Sequence, residues 1–196
     1  MTEYEEVLRS TVLPELEKGR PGWDKPHTEA VVDYLKSIIS NSPDLKLDYD
    51  VLIIAAYAHD WGYSGLFKDG IPLQLDEVNN AKEAHVIYGV EKLGKLLLTA
   101  PFSFLSQRQK DRALHLVKIH DSLEQIGEID EVVLMEADTL GGLDVDRVKP
   151  SFDKKSNDKY MQVAREKRYP LFKTEYGRIQ FERLFILRNK YYANID

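Results

Sequence analysis

Apolar residues recur at intervals of three and four positions along almost the whole chain. These intervals place side chains on one face of an α-helix, whereas half-buried strands need alternation of apolar and polar residues. Alternating β-branched runs between turn residues are scarce. A chain of 196 residues, 43% of them hydrophobic, can bury a substantial core. The sequence therefore predicts one all-α domain spanning residues 1–196.

Turn residues and capping residues divide this pattern into separate helices. We expect helices at about 4–18, 26–40, 51–59, 75–99, 106–123 and 130–140, and two more within 152–196. The expected boundaries fall at residues that cap or break helices: Asp24 as a cap, Gly70 and Pro72 in a loop, Gly141-Gly142 as a stop, and Tyr169-Pro170 as a break.

Composition limits what the chain can bind. It contains no cysteine, which excludes disulfides and cysteine-ligated metals, so a metal site here needs His, Asp and Glu. The 27 basic and 33 acidic residues give a net charge of −6, with no overall attraction for nucleic acid or an anionic membrane. The longest apolar run, VLIIAAYA, is too short to span a bilayer, and the acidic N-terminus differs from a signal peptide. We therefore expect a cytoplasmic protein.

Two adjacent side chains that can ligate a metal stand at the end of the third expected helix. His59 follows an apolar helical run, and Asp60 is costly to bury without a counter-charge or a metal ion. The helix C-terminus also favours a cation, because the backbone dipole is negative there. The alternative is a helix-end pair that only caps the helix and faces solvent.

Four further residues are candidate ligands. His27 lies near the start of the second expected helix, His85 on the apolar stripe of the fourth, and His120 near the end of the fifth. Each histidine taken alone has an ordinary structural alternative. Asp138 stands on an otherwise apolar stripe and is harder to explain structurally, because Asp is rarely buried unpaired. His115 lies on a different face from His120 and is interpreted as structural.

The ordered set His27, His59-Asp60, His85, His120 and Asp138 resembles the HD-domain superfamily of metal-dependent phosphohydrolases. The resemblance covers about residues 23–146 and includes the segments HTEAVVDYL, AAYAHDWGY, AHVIYGVEKL and EADTLGGLD. It implies an HD-domain helical bundle with residues 152–196 as a C-terminal helical extension, and it is nearest to small stand-alone bacterial or archaeal enzymes that act on nucleotides. Gly141 departs from the charged residue expected at its position.

The resemblance also implies a centre of one or two divalent ions. Its ligands would fall into two sets that share Asp60: His27, His59 and Asp138 in one, His85 and His120 in the other. Manganese, iron, magnesium or nickel suits such donors. The implied reaction is hydrolysis of a phosphomonoester or phosphoanhydride in a small phosphorylated molecule, a nucleotide, by a metal-activated water.

Two charged residues are expected to assist Asp60 in catalysis. Lys82 lies three positions before His85, hence on the same helix face, where it is expected to bind a phosphate oxygen. Glu124 lies four positions after His120 and is expected to orient a ligand or accept a proton. A solvated surface position is the alternative for both.

Aromatic and basic residues suggest further roles around the site. Trp61, Tyr63 and Phe67 follow the His59-Asp60 doublet and are expected to wall a nucleotide base or to pack in the core. The basic segment AREKRY would form a patch for nucleic acid or, more ordinarily, the solvated side of a helix. The aromatic C-terminal helix would cover the core or pair with a second copy in a homodimer.

Two other functions are compatible with the same residues. A minority of HD-superfamily enzymes use the six-ligand arrangement to hold two irons and oxygenate a small polar substrate. A nucleotide-binding signalling module without catalysis would require loss of the metal, and the intact ligand set speaks against it.

Overall fold

The computed structural model describes residues 2–67 and 75–194, and its architecture confirms the all-α prediction. Within these residues the α-helices are α1 (Glu3–Leu16), α2 (Asp24–Asn41), α3 (Tyr49–Ala58), α4 (Leu75–Leu96), α5 (Gln107–Ile119), α6 (Ile129–Leu143), α7 (Lys154–Val163) and α8 (Glu175–Ala193). Short 3-10 turns lie at Trp61–Tyr63, Ala100–Phe102 and Tyr169–Leu171, and a π-helical segment lies at Ala164–Arg168. The described residues contain no strand.

Helix α3 lies at the centre of the bundle. Every residue from Val51 to Ala58 is buried, because a helix that is apolar on all sides must be covered on all sides. The surrounding helices are α1, α2, α5 and α6, and α4 packs on α5. His59 and Asp60 follow α3 directly, so they lie in the interior of the bundle.

The 3-10 turn after the doublet packs closely on α4. A Cβ atom at Gly62 would overlap the backbone carbonyl of His85 and lie 2.7 Å from the backbone nitrogen of Gly89. Only glycine permits this approach, since real Cβ atoms do not come so near to backbone atoms. The turn that carries Asp60 and the helix that carries His85 therefore touch through their backbones.

Several expected helix boundaries are wrong, among them the end of α4, which falls at Leu96 and not at about residue 99. Helix α6 continues through Gly141 and Gly142. A Cβ at Gly141 would lie 2.7 Å from Cγ2 of Val31, so the absence of a side chain there permits close packing against α2 rather than ending the helix. Asp24 is the first residue of α2 and not its cap, since its carboxylate accepts hydrogen bonds from the backbone and the side chain of Arg20.

The end of α5 is also wrong, because the helix ends at Ile119 and residues 120–123, expected to continue it, form a turn. The expected loop through Gly70 and Pro72 lies outside the described residues. The separation of the last two helices at Tyr169-Pro170 is confirmed.

The C-terminal extension is fixed to α6 by buried polar contacts. Glu136 accepts hydrogen bonds from the backbone nitrogens of Lys173 and Thr174 and from the Thr174 hydroxyl, at the start of α8. Arg188 of α8 is fully buried and donates 2.7 Å hydrogen bonds to the carbonyl of Gly142 and to Asn157. These contacts hold the extension against the helix that carries Asp138.

Among the helices of residues 2–67 and 75–194, none combines the length and the apolar composition that crossing a membrane requires.

Candidate metal centre

Five elements bring the six predicted ligands together at one buried point. His27 comes from the first turn of α2, His59 and Asp60 from the end of α3, His85 from α4, His120 from the end of α5 and Asp138 from α6. All six are buried, and Asp138, the most accessible, has 8% of its surface exposed. Apart from the adjacent His59 and Asp60, the six residues are far apart in the sequence, and the packing of the helices around α3 brings them together.

The first set of ligands surrounds one oxygen of Asp60. Oδ2 of Asp60 lies 3.3 Å from Nε2 of His59 and 3.5 Å from Nε2 of His27. The two histidine nitrogens are 3.3 Å apart. Oδ1 of Asp138 completes the set at 3.0 Å from Nε2 of His27. We call these four residues the first half-site.

The second set surrounds the other oxygen of the same carboxylate. Oδ1 of Asp60 lies 3.6 Å from Nε2 of His120 and 3.9 Å from Nε2 of His85. The two histidine nitrogens are 3.4 Å apart. We call Asp60, His85 and His120 the second half-site. Asp60 thus presents one oxygen to each pair of histidines, as a carboxylate bridging two ions does.

Donor separations of this size fit a divalent metal ion. Nitrogen and oxygen ligands about 2.0–2.2 Å from an ion, at tetrahedral or octahedral angles, lie about 2.8–3.6 Å from one another. The His27, His59 and Asp60 donors, and likewise those of Asp60, His85 and His120, lie within 4.8 Å of one another. In each group two imidazole nitrogens lie 3.3 or 3.4 Å apart beside an oxygen of Asp60. These groups can therefore hold a metal ion.

Backbone carbonyls fix the direction of two ligand rings. Nδ1 of His59 donates to the carbonyl of Ala56 at 2.8 Å, and Nδ1 of His120 donates to the carbonyl of Val117 at 2.7 Å. Each bond leaves Nε2 directed at the centre, the arrangement typical of metal-bound histidines.

Two arginines contact the ligand carboxylates, and the sequence prediction included neither. Arg20 donates to Oδ2 of Asp60 and is itself held by Asp24. Arg168, from the π-helical segment, donates to Oδ2 of Asp138 at 2.5 Å, while the Oδ1 atom of that residue faces His27. Although burial alone would raise their pKa values, nearby cationic groups hold the pKa of Asp60 and of Asp138 well below the ordinary range. Both side chains are carboxylates at neutral pH.

The histidines differ in charge. Burial would lower the pKa of His59, but the carboxylates of Asp60 and Asp138 outweigh it and raise the pKa to about 9. For His85, burial together with the neighbouring His120 lowers the pKa to about 4. At neutral pH and without a metal, His59 of the first half-site is therefore protonated, whereas His85 of the second half-site is neutral.

Asp121 is a further acidic residue beside the second half-site. Its Oδ2 lies 3.9 Å from Nε2 of His120 and 4.0 Å from that of His85. Despite burial, the positive neighbours His120, Lys82 and Arg168 lower its pKa. A signal for it exists in the sequence, because His120-Asp121 repeats the pattern of His59-Asp60.

A cavity of about 150 Å³ opens onto the centre. Its walls include three ligand residues together with Asp121, four aromatic rings and three cationic side chains: His27, Asp60 and Asp138 with Asp121; Trp23, Tyr63, Phe152 and Tyr160; Arg20, Lys82 and Arg168. Lys82, predicted to share a helix face with His85, lines this cavity and lies 3.5 Å from Asp121.

Glu124 does not line this cavity. It is exposed in the turn after α5, because the helix that would have placed it above His120 ends five residues earlier, at Ile119. Of the three aromatic residues after the doublet, Tyr63 lines the cavity and stacks on His85 with 4.0 Å between ring centres. Trp61 is buried and donates to Glu15, and Phe67 packs on Tyr63.

Comparison of the chain with protein-family models, with curated proteins and with solved structures finds no match. The resemblance to the HD-domain superfamily stays a prediction from the sequence.

Proposed function

We propose that this protein is a metal-dependent phosphohydrolase that cleaves a phosphomonoester or phosphoanhydride of a small molecule, in particular a nucleotide. The observation that carries the proposal is Asp60, whose two carboxylate oxygens each face a separate pair of histidine nitrogens at the base of an open cavity. The ordered ligand set and its resemblance to HD-domain enzymes support the same reaction.

The ligand atoms are imidazole nitrogens and carboxylate oxygens, and these donors suit manganese, iron, magnesium or nickel. One or two such ions would be held by His27, His59, Asp60 and Asp138, and by Asp60, His85 and His120. A bound divalent ion supplies a water nucleophile at neutral pH and neutralises charge on the phosphate.

The protein's own residues bind and orient the substrate. Arg20, Lys82 and Arg168 line the cavity and offer N–H donors to an anion. Arg20 is held in place because Asp24 binds its side chain and its guanidinium lies 4.2 Å from the centre of the Tyr63 ring. Trp23 stacks on His27 and Tyr63 stacks on His85, so the two rings restrict how far these ligands can rotate.

An oxygenase with two irons is the second candidate, because imidazole and carboxylate donors around a shared Asp60 suit iron equally well. The three cationic residues of the cavity favour the hydrolase, since an anionic substrate makes use of them and a neutral polar one does not.

The test combines metal analysis with an activity screen. Purified protein incubated with manganese or iron is freed of excess metal, its bound metal is counted by mass spectrometry, and phosphate or pyrophosphate release is measured on nucleoside mono-, di- and triphosphates. The screen runs under air and under nitrogen. We expect bound metal and release of phosphate or pyrophosphate that is equal in both atmospheres.

His59→Ala is the informative variant and His115→Ala its matched control. His115 is a histidine outside the centre, partly exposed and bonded to Glu131 at 3.1 Å. We expect His59→Ala to lose metal and activity and His115→Ala to keep both. A metal-loaded wild-type protein that releases neither product from any nucleotide would overturn the hydrolase, and turnover that requires dioxygen would favour the oxygenase.

A further inference from the structure

The π-helical segment directs two nearby arginines to different partners. At Ala164–Arg168 the N–H of Tyr169 donates to the carbonyl of Ala164, five residues earlier, and Pro170 has no N–H with which to continue the helix. On a regular α-helix Arg165 and Arg168 would share one face. Here Arg165 pairs with Glu182 of α8, whereas Arg168 reaches Asp138 in the cavity. Segments of this kind are frequent at functional sites.

Arg168 lines the cavity and retains a donor that no described residue uses. Its side chain is 12% exposed, and one terminal nitrogen is bonded to Asp138. Its Nε is buried and has no hydrogen-bond partner among the residues that the structure describes. Leaving a buried charged donor unpaired costs free energy, so such groups commonly belong to a ligand site.

Lys82 lies on the same side of the centre. Asp121 is 3.5 Å from Nζ of Lys82, and both Lys82 and Arg168 act on the charge of Asp121. Lys82, Arg168 and Asp121 all line the cavity next to the second half-site. An anionic group that enters the cavity there meets the positive charges of Lys82 and Arg168.

The charges of the cavity wall indicate how negative its ligand is. Three cations and three carboxylates line the cavity within the described part of the chain, so the wall without metal is close to neutral, apart from its histidines. Behind the wall, Asp24 pairs with Arg20, so two divalent ions would leave an excess of about three positive charges, whereas a single phosphate monoester supplies about two negative charges. Two adjacent phosphoryl groups match this excess better than one.

We propose that Arg168 and Lys82 form a subsite for a second phosphoryl group, adjacent to the one attacked at the metal centre. The inference rests on the proposed hydrolase function and narrows its substrate class to compounds with a phosphoanhydride. Arg168 offers the guanidinium of a cavity-lining side chain that is 12% exposed, and Lys82 offers a point charge on a side chain that is 43% exposed.

The test measures binding without turnover. Manganese-loaded protein is titrated calorimetrically with inorganic phosphate and with methylenediphosphonate, which has two phosphoryl groups and no hydrolysable bridge. Bound manganese is counted before and after each titration. We expect the wild-type protein to bind the diphosphonate more tightly, and Arg168→Gln to raise the Kd of the diphosphonate about 10- to 100-fold with little change for phosphate.

Matched variants separate the subsite from loss of charge or of fold. Lys167→Gln removes one positive charge from the same segment at an exposed position and should leave both Kd values unchanged. Arg168→Lys keeps the charge but loses the planar donor array, so we expect partial recovery. Lys82→Gln should weaken the diphosphonate about three- to tenfold, since Lys82 is 43% exposed. Thermal melting checks that every variant is folded.

Two outcomes would overturn the subsite. In the first, Arg168→Gln binds both probes as tightly as the wild type. In the second, Arg168→Gln loses both probes and manganese, which would mean that Arg168 only supports Asp138. Failure of the proposed reaction has a different signature. If no nucleotide is hydrolysed but selective loss of the diphosphonate is found, the subsite stands and the reaction does not.

Discussion

The two half-sites share Asp60 but differ in how firmly the protein holds them. The first draws its ligands from α2, α3 and α6, and its carboxylates are bonded to Arg20 and Arg168. The second draws its histidines from α4 and α5, and its only carboxylate among the named ligands is the shared Asp60. Nδ1 of His85, like Nδ1 of His27 in the first half-site, has no hydrogen-bond partner among the described residues. More carboxylate charge and more bracing at the first half-site lead us to expect that it binds its ion more tightly than the second.

The largest effect should come from the residue that the half-sites share. Asp60→Asn keeps the size of the side chain but removes the charge that faces both histidine pairs. We expect both ions to be lost and kcat/KM to fall about 1,000-fold or more, the scale of losing a group that stabilises transition-state charge. Phosphate release and metal content measure this. Full turnover with a folded variant would show that the centre lies elsewhere.

Removing one histidine from each half-site tests whether two ions bind. We expect His85→Ala to lose one metal equivalent, to keep the other and to lower activity about 10- to 100-fold. His27→Ala should weaken the tighter ion instead. Metal titration followed by mass spectrometry distinguishes the two cases. If the stoichiometry of His85→Ala equals that of the wild type, a single ion occupies the centre.

The half-sites should also differ in their response to pH. A metal ion binds neutral imidazole, and the raised pKa of His59, about 9, means that the first ion must displace a proton at neutral pH. Its apparent affinity should therefore fall about tenfold for each pH unit below 9. His85, with a pKa of about 4, imposes no such cost above pH 5.

Calorimetry in two buffers of different ionisation enthalpy counts the protons released. We expect the first ion to displace about one proton from His59 near pH 7.5. The second ion should displace none from His85 and only the fraction that His120 holds, because, despite burial, the carboxylates of Asp121 and Asp60 raise the pKa of His120. Equal proton release at both half-sites would mean that the charge difference between His59 and His85 does not exist in solution.

The smallest effect is expected at Glu124, outside both half-sites. Because this residue is exposed beyond the end of α5 and does not line the cavity, Glu124→Gln should change kcat/KM by less than about twofold. Steady-state kinetics of Glu124→Gln and Lys82→Gln, measured side by side, compare their kcat/KM values. A loss of tenfold or more would restore Glu124 as a catalytic residue.

Periodicity predicts the histidines well for a physical reason. His59 and His85 continue apolar helix faces, and a face that must be buried fixes where its side chains point before any neighbour is known. The same reasoning fails for Glu124, because a helix end depends on local capping and tertiary contacts as well as on spacing.

The arginines lie beyond this kind of prediction. Arg168 belongs to a charge run that ordinarily covers the outside of a helix, and only the widened turn before Pro170 brings it inward. The prediction for Gly141 from the sequence is also wrong. A glycine near the end of a helical pattern predicts that the helix stops, but here Gly141 allows α6 to approach Val31 closely.

Gly62 connects the two half-sites mechanically. The turn that contains Gly62 contacts the backbone of α4 directly, because Gly62 has no side chain. This contact sets the distance between Asp60 and His85. A single added methyl group would wedge the turn and the helix apart. The capacity of this chain to hold its ions as a pair then depends on a position that carries no ligand and takes no part in the chemistry.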